Sequence, residues 1–530
     1  MDRRAFLKTG SCIPVAAAAW AAIPRLAQAQ APRPLVWGGN LPSALDPHTV
    51  LDVPSVFLKV NLYDSLFEYA GDPPEPRPLL AKSITPDATG RVWEAELVSG
   101  VKFHDGSELT ADDVVYSFRR LLALRRGPAT TFAPFLAADG VAATGRHSVR
   151  FTLKEPYAPF VATLPMVPIV NKALVEANTK DNDWGQAWLA ANDAGSGPYK
   201  AVAGSFKPLE SLDMEWFEPY FRGWPQARPL REVRVRPIKD DTTRVLAVEK
   251  GDIDTTHSYI RPDQHRRLQN APGVRLSVEP ALRTFLVRLH NGRAPFDNLN
   301  FRKALAHAFP YEVFIDKVLL GTVERNPTPL PNQLWGNPRG VAGYGYDLAK
   351  AREHLELARK EGVDTSRELD FMALVGFDET EQVAQLMQSE LRKIGLRMKI
   401  SKSLWANALT ATQKEETSPD LWAHWATSYF IDPDNWTGQF YAKSNLGTQR
   451  GSSWYRNDRV DDLLVRARST LDRAQRTALY EDATRRLVDE AVDIWVYNSK
   501  TFRAVRTRLK GYEPAAIGDG VDLRKMWLES

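Results

Sequence analysis

The sequence predicts a mixed α/β fold large enough for more than one lobe. Three observations carry that expectation. Short alternating or apolar strands are interleaved with amphipathic helices along the chain. Hydrophobic residues make up 43% and charged residues 25%, an ordinary globular balance. The 530 residues give room for two or three lobes, and after the first thirty residues no apolar run reaches membrane-spanning length.

Those first residues are read apart from the body. Arg3-Arg4-Ala5-Phe6-Leu7-Lys8 has the form of a twin-arginine export signal. The Ala-rich stretch from Ile13 to Ile23 follows, too short for a stable anchor. Ala27-Gln28-Ala29 offers a small-residue cleavage site, so the expected signal covers 1–29 and the mature chain starts near Gln30. An uncut anchor is the alternative that this length and these flanks disfavour. Cys12, the single cysteine, lies inside the signal. Thr9-Gly10-Ser11 before it is a poor lipobox, so lipidation is not expected. A mature chain without thiols excludes disulfides, thiolate metal ligands and cysteine nucleophiles. The net charge is +4 for the whole chain and near +1 once the signal is removed, which argues against a nucleic-acid partner.

Along the body, Leu35-Val36-Trp37 is a short apolar strand stopped by Gly38-Gly39. Val56 to Tyr69 is expected to be a helix. Gly71-Asp72-Pro73-Pro74-Glu75-Pro76 is a surface connection. Arg91 to Leu97 alternates as a half-buried strand does. Phe103-His104-Asp105-Gly106-Ser107 is a turn, and Thr110 with Asp113 forms a capping-box pair for the next helix. A strand is expected over 231–236 and a helix over 240–250, ended by Gly251. A strand is expected over 284–289 and a helix over 301–309. Helices follow over 346–360 and 379–394, the latter stopped by Gly395, and then a strand over 396–400. Two helices over 460–468 and 473–490 and a strand over 494–497 complete the series.

The chemical motifs of catalysis are missing. There is no phosphate-cradling GxxxxGK[ST], no HExxH and no GxSxG. The nine histidines are scattered, with no pair at a zinc-ligand spacing, so no metal and no cofactor is expected. The Asp-Asp pairs at 112–113, 240–241 and 461–462 fall near helix starts, where they offset the helix dipole. A secreted hydrolase is the weaker reading, because no nucleophile–base constellation is present.

Several segments, taken in order, give a sharper reading. They are Asn61 to Tyr69, Trp93 to Phe118 with Gly100-Val101-Lys102-Phe103-His104-Asp105-Gly106, and Gly195-Ser196-Gly197-Pro198-Tyr199-Lys200. Further on stand Gly251-Asp252-Ile253-Asp254, Pro295-Phe296-Asp297 with Phe301-Arg302-Lys303-Ala304-Leu305, Lys393-Ile394-Gly395-Leu396 and Asp432-Pro433-Asp434-Asn435. Together they resemble the family-5 solute-binding proteins of bacterial ABC importers, the oligopeptide, dipeptide and nickel binders. The resemblance implies a two-lobe, type II periplasmic-binding fold with a hinge and an extra small subdomain. Lobe I would comprise 30–70, 190–280 and 495–530, the small subdomain 71–189, and lobe II 281–494. It implies a periplasmic monomer that captures a peptide or peptide-like solute between the lobes. The protein would deliver that solute to a permease with separate ATPase subunits at the inner membrane. The same fold would also serve a cationic metabolite, an opine, a sugar or a nickel chelate, or act as an extracytoplasmic sensor or chaperone.

Aromatics are dense between 405 and 436, where Trp405, Trp422, Trp425, Tyr429 and Trp436 stand. Such rings give contact area at low entropic cost. Trp405 and Trp425 match family positions that face the ligand. By the same resemblance, Ser428 stands where peptide binders carry the aspartate that pairs with the ligand ammonium, flanked by Thr427 and Tyr429. By the same resemblance, the place of the arginine that holds the ligand carboxylate in dipeptide binders falls in the neighbourhood of Asp378 and Glu379, where the charge is inverted; the alternative is that both carboxylates cap the start of the following helix. His257 and Tyr259 are expected at the cleft end of a strand, and Phe132 in a loop that reaches over the ligand.

Overall fold

The computed structural model describes residues 33–529. The expected export signal, its cleavage site and Cys12 lie outside these residues. Among the described residues no helix is long and apolar enough to cross a membrane.

The chain opens with strand β1 (Leu35–Gly38) and helix α1 (Val53–Leu62). Asp52 caps α1 by accepting from Ser55 N, and the Ser55 hydroxyl returns the contact in a capping box. The helix expected over 56–69 therefore starts earlier and ends at Leu62, and Phe67–Ala70 pairs as a strand with Glu75–Pro78. Tertiary partners end it. The Asn61 amide donates to Phe57 O and Val521 O, and Gly197 N donates to Leu62 O. Those carbonyls are then satisfied without another helical turn.

A four-stranded antiparallel sheet follows, from β2 (Ala81–Pro86), β3 (Val92–Leu97), β4 (Leu136–Gly145) and β5 (Ser148–Leu153), with β3 next to β5. Helix α2 (Ala111–Leu124) packs on it, and the Thr110–Asp113 capping box forms as expected. The turn before α2 has a docking role: His104 N donates to Gly195 O, and the His104 ring bridges Asp193 Oδ2 and Gly197 O. The two glycine-bearing motifs read in sequence are thus one contact. A Cβ on Gly197 would lie 2.5 Å from Leu62 C and 2.6 Å from Tyr63 N. Leu66, Trp93, Val114, Phe118, Phe151 and Phe160 fill the core of this region.

The large sheet is assembled from β1, β6 (Tyr199–Ala201), β7 (Leu212–Trp216), β8 (Glu232–Val235), β9 (Thr255–Thr256) and β10 (Val274–Leu289). It continues through β11 (Leu369–Leu374), β12 (Met398–Ser403), β13 (Leu421–Thr427) and β14 (Asp493–Arg506). Its order is β12-β11-β13-β10-β14-β9-β1-β8-β7-β6, with Glu324–Arg325 added beside β14. Two strands are far longer than expected. Instead of 284–289 and 494–497, β10 has 16 residues and β14 has 14. They pair antiparallel from Val274↔Arg506 to Arg288↔Asp493, and the register breaks between Pro280 and Thr284. Before the break β14 continues to β9 and β1; beyond it β10 continues to β13, β11 and β12. One core of β1, α1 and β8 residues serves the first side, and another built on β10, β11 and β13 serves the second.

Candidate functional site

The register break is where side chains of different parts of the chain converge. Three strands place aromatics side by side: Phe285 of β10 pairs with Trp425 of β13 and with Tyr497 of β14. The Phe285 ring lies 4.8 Å from Tyr497 in a stacked pair and 5.0 Å from Trp425 edge-on. Trp425 Nε1 donates to the Tyr497 hydroxyl at 3.0 Å, and that hydroxyl donates to Glu379 Oε2 at 2.5 Å. Glu379 lies in the first turn of a helix, Asp378–Lys393. Burial pushes its carboxyl pKa up, against the opposing effects of the Tyr497 hydrogen bond and the Arg283 charge.

Arg283 completes this wall. It pairs with Thr427 across β10 and β13, and its guanidinium carbon lies 4.4 Å from the Trp425 ring and 5.1 Å from the Tyr259 ring. Tyr259 arrives from the other side of the break, beside Phe502 of β14. Its side chain is 39% exposed, yet burial pushes its phenol pKa up. Phe377, 5.8 Å from Trp425, and Trp405, 6.3 Å from Phe377, extend the apolar surface, and both are partly exposed to solvent.

The sequence-expected residues divide. Trp425, Tyr259 and Thr427 come together around Arg283, and Trp405 lies farther along beside Phe377. Ser428 is buried, with its N–H donating to Leu282 O. Tyr429 lies under the Arg450 guanidinium at 4.1 Å and packs toward the β2–β5 core. His257 is 5% exposed, and its Nδ1 accepts from Tyr259 N, so it orients the loop from within. Burial and the charges of Arg244 and Arg503 hold its pKa down at about 3. Phe132 corrects an expectation. It ends the short helix Ala129–Phe132 and is fully buried against Phe118 and Phe135, because a ring in that apolar run gains more from the core than from solvent. Asp378 points to solvent, and Glu379 is the carboxylate on the wall. Asp432 is no replacement for the absent aspartate: it accepts both contacts of Arg476 Nη2 at 2.7–2.8 Å and caps the turn Pro433–Asn435.

Sequence reasoning missed Arg283, Phe285, Phe377 and Tyr497. The available signal was Arg283 itself, a charge one residue before a strand expected to be buried. Behind Leu282 and Ile431 lies a cavity of about 660 Å³, lined also by Pro73, Trp335, Arg473 and Glu481, and none of the expected residues lines it. Among the described residues no group of three or more His, Cys, Asp or Glu side chains is placed to hold a metal ion.

The sequence profile of bacterial extracellular solute-binding proteins, family 5, middle region, matches residues 75–448. The probable D,D-dipeptide-binding periplasmic protein of Escherichia coli (strain K12) is 28% identical over 478 residues, 89% of each chain. Heme-binding protein A of Haemophilus influenzae is 25% identical, covering 86% of this chain and 85% of its own. Among solved structures, the ABC transporter-associated periplasmic binding protein of Helicobacter pylori, in complex with the peptide STSA, superposes with a TM-score of 0.78. It is 25% identical and covers 94% of this chain and 98% of that one.

Proposed function

The chain belongs to the bacterial extracellular solute-binding proteins of family 5, and on that premise we propose that it captures a peptide or peptide-like solute for an ABC importer. The observation that carries the reading is the wall at the break between β10 and β14. There Trp425 and Tyr259 flank the Arg283 guanidinium, the Glu379 carboxylate stands nearby on Tyr497, and Phe377 and Trp405 add exposed aromatic surface beyond Trp425. Pockets of this kind use rings for area and a few polar groups for orientation.

In this reading β10 and β14 are the hinge strands. The lobes comprise about 30–70, 190–280 and 495–530 on one side and 281–494 on the other, with 71–189 as the small subdomain. The lobes close on the solute, and the closed form docks on a permease served by separate ATPase subunits. The protein is a binder without catalysis, exported to the periplasm by a twin-arginine signal cut near Ala29, and it works as a monomer. The relatives named as a probable D,D-dipeptide-binding periplasmic protein and a periplasmic oligopeptide-binding protein support the location and the solute class.

A non-peptide solute is the second reading. Ser428 favours it, since the ammonium partner of peptide binders is absent there and Asp432 is already engaged. A thermal-shift screen of the mature chain separates the two. The panel is di- to pentapeptides, amino acids, polyamines, sugars, opines and nickel–histidine. A ligand at a hundredfold excess over its Kd adds about 2.7 kcal/mol of apparent stability. A shift with free peptides supports the first reading. A shift confined to the other solutes replaces it with the second.

A further inference from the structure

The inner arginines of this protein follow a rule that Arg283 breaks. Arg120 pairs with Asp46 at 2.6 Å, Arg288 with Asp493 at 3.0 Å, Arg476 with Asp432 at 2.7 Å and Arg503 with Asp519 at 2.6 Å. Each of these four guanidinia has its carboxylate, and the buried Arg302 is instead satisfied by the carbonyls of Phe296, Asp297 and Glu490, as the cost of an unpaired buried charge requires. Arg283 is half-buried, and its Nε is enclosed without a hydrogen-bond partner, as are those of Arg288 and Arg503; what sets Arg283 apart is that no described carboxylate or carbonyl pairs with the rest of its guanidinium. No described residue forms an ion pair or hydrogen bond with it. What it has are the rings of Trp425 and Tyr259 at 4.4 and 5.1 Å, and ring contacts satisfy none of its N–H donors.

The neighbouring carboxylate does not fill the gap. Glu379 is near enough for the Arg283 charge to act on it, yet its Oε2 is taken by the Tyr497 hydroxyl and the two groups are not in contact. The guanidinium is also held in place from both sides of the register break, by Trp425 from β13 and by Tyr259 from the chain after β9. A planar fork of donors flanked by two aromatic rings and without a described protein partner suits one chemical group above others: a planar carboxylate that accepts two parallel hydrogen bonds.

We propose that Arg283 is the carboxylate anchor of the bound solute. This rests on the solute-binding reading above and deepens it. The solute class becomes an acid with a free carboxylate, anchored from strand β10 in place of the arginine that dipeptide binders carry before the 378–393 helix. The charge inversion at Asp378 and Glu379 then leaves an acidic ligand acceptable, because the cation has moved to the opposite strand.

The test is calorimetric titration of the mature protein. The probes are L,L- and D,D-alanyl-alanine and trialanine, each as the free acid and the C-terminal amide, with glutarate as a non-peptide acid. The free acids are expected to bind at least tenfold tighter than their amides. Arg283→Gln is expected to lower acid affinity by about ten- to a hundredfold and amide affinity by much less, so that the acid-over-amide preference collapses. Arg283→Lys keeps the charge without the fork and is expected to lose part of that affinity; it gives the reading if the glutamine variant folds poorly by its ligand-free melting temperature. Acids and amides binding equally, or acid affinity unchanged in both variants, overturns the anchor and leaves the peptide reading standing. Glutarate binding in an Arg283-dependent way without any peptide supports the anchor and overturns the peptide reading. Silence from every probe overturns both.

Discussion

Replacing Trp425 with alanine separates a ligand wall from a core residue. The indole packs edge-on against Phe285 at 5.0 Å, lies under the Arg283 guanidinium at 4.4 Å, and donates to the Tyr497 hydroxyl at 3.0 Å. Deleting a large aromatic from a core costs about 3–5 kcal/mol. Trp425 is only half-buried, so about 3 kcal/mol is expected. The lost hydrogen bond adds little, because the Tyr497 hydroxyl keeps its bond to Glu379 and is not left orphaned. Trp425→Phe keeps a ring against Phe285 and loses the indole N–H, for a loss of about 1 kcal/mol. Stability is read from urea midpoints at constant m, and affinity from titration with a ligand found in the solute screen. A wall residue predicts that Trp425→Ala loses stability and at least tenfold in affinity together. Unchanged affinity with lowered stability would refute the placement of Trp425 in the site, and an unchanged midpoint would refute the packing argument itself.

Three further outcomes are expected. Asp64 is buried between the Tyr220 and Ser196 hydroxyls, and burial pushes its pKa up to about 6. Its folded pKa exceeds the unfolded value, so its contribution is full below about pH 4 and is lost as pH rises through 6. Asp64→Asn should remove about 3 kcal/mol of that slope between pH 4 and 7, measured as denaturation midpoints across pH. Asp493 accepts from Arg288, Tyr441 and Leu289 N in a buried cluster. Asp493→Ala should cost about 3–5 kcal/mol because it strands the arginine, and adding Arg288→Met should return part of the loss in a double-mutant cycle. Gly197→Ala should prevent soluble expression or lower the midpoint by several kcal/mol, because the added methyl meets the backbone of Leu62 and Tyr63. A glycine in open space, such as Gly100 or Gly106, is the wrong control because each has a positive φ; Gly345, with φ outside that region and no neighbour within 4 Å, should accept alanine.

Much of the local structure was legible because it is written in short-range chemistry. The Thr110–Asp113 cap, the Gly251 stop at a left-handed backbone position, and the helices 348–360 and 473–489 all follow from neighbours a few residues apart. The long strands were half-read. In β10 the stretch Val274–Arg283 contains Pro280 and several partly exposed side chains, so its alternation is weak and only the buried half from Thr284 declared itself. Phe132 was misplaced because an aromatic in a loop-like run reads the same whether it turns in or out.

The sequence by itself determined the fold class, the family and the lack of catalytic motifs, because these rest on periodicity, caps and ordered motifs along one chain. It also placed Trp425 and Tyr259 as candidates. The tertiary structure alone decided that Arg283, Trp425, Tyr497, Glu379 and Tyr259 meet. They come from five segments spread between 259 and 497: strand register aligns those of Arg283, Trp425 and Tyr497, a bridge to Phe502 brings Tyr259, and a helix start brings Glu379. It also decided which charges are available. Asp432 and Arg283 look alike as isolated charges in a sequence; Asp432 is closed off by Arg476 while Arg283 is left with rings alone. Electrostatic availability depends on what lies within a few ångströms in space, and no spacing along the chain encodes that.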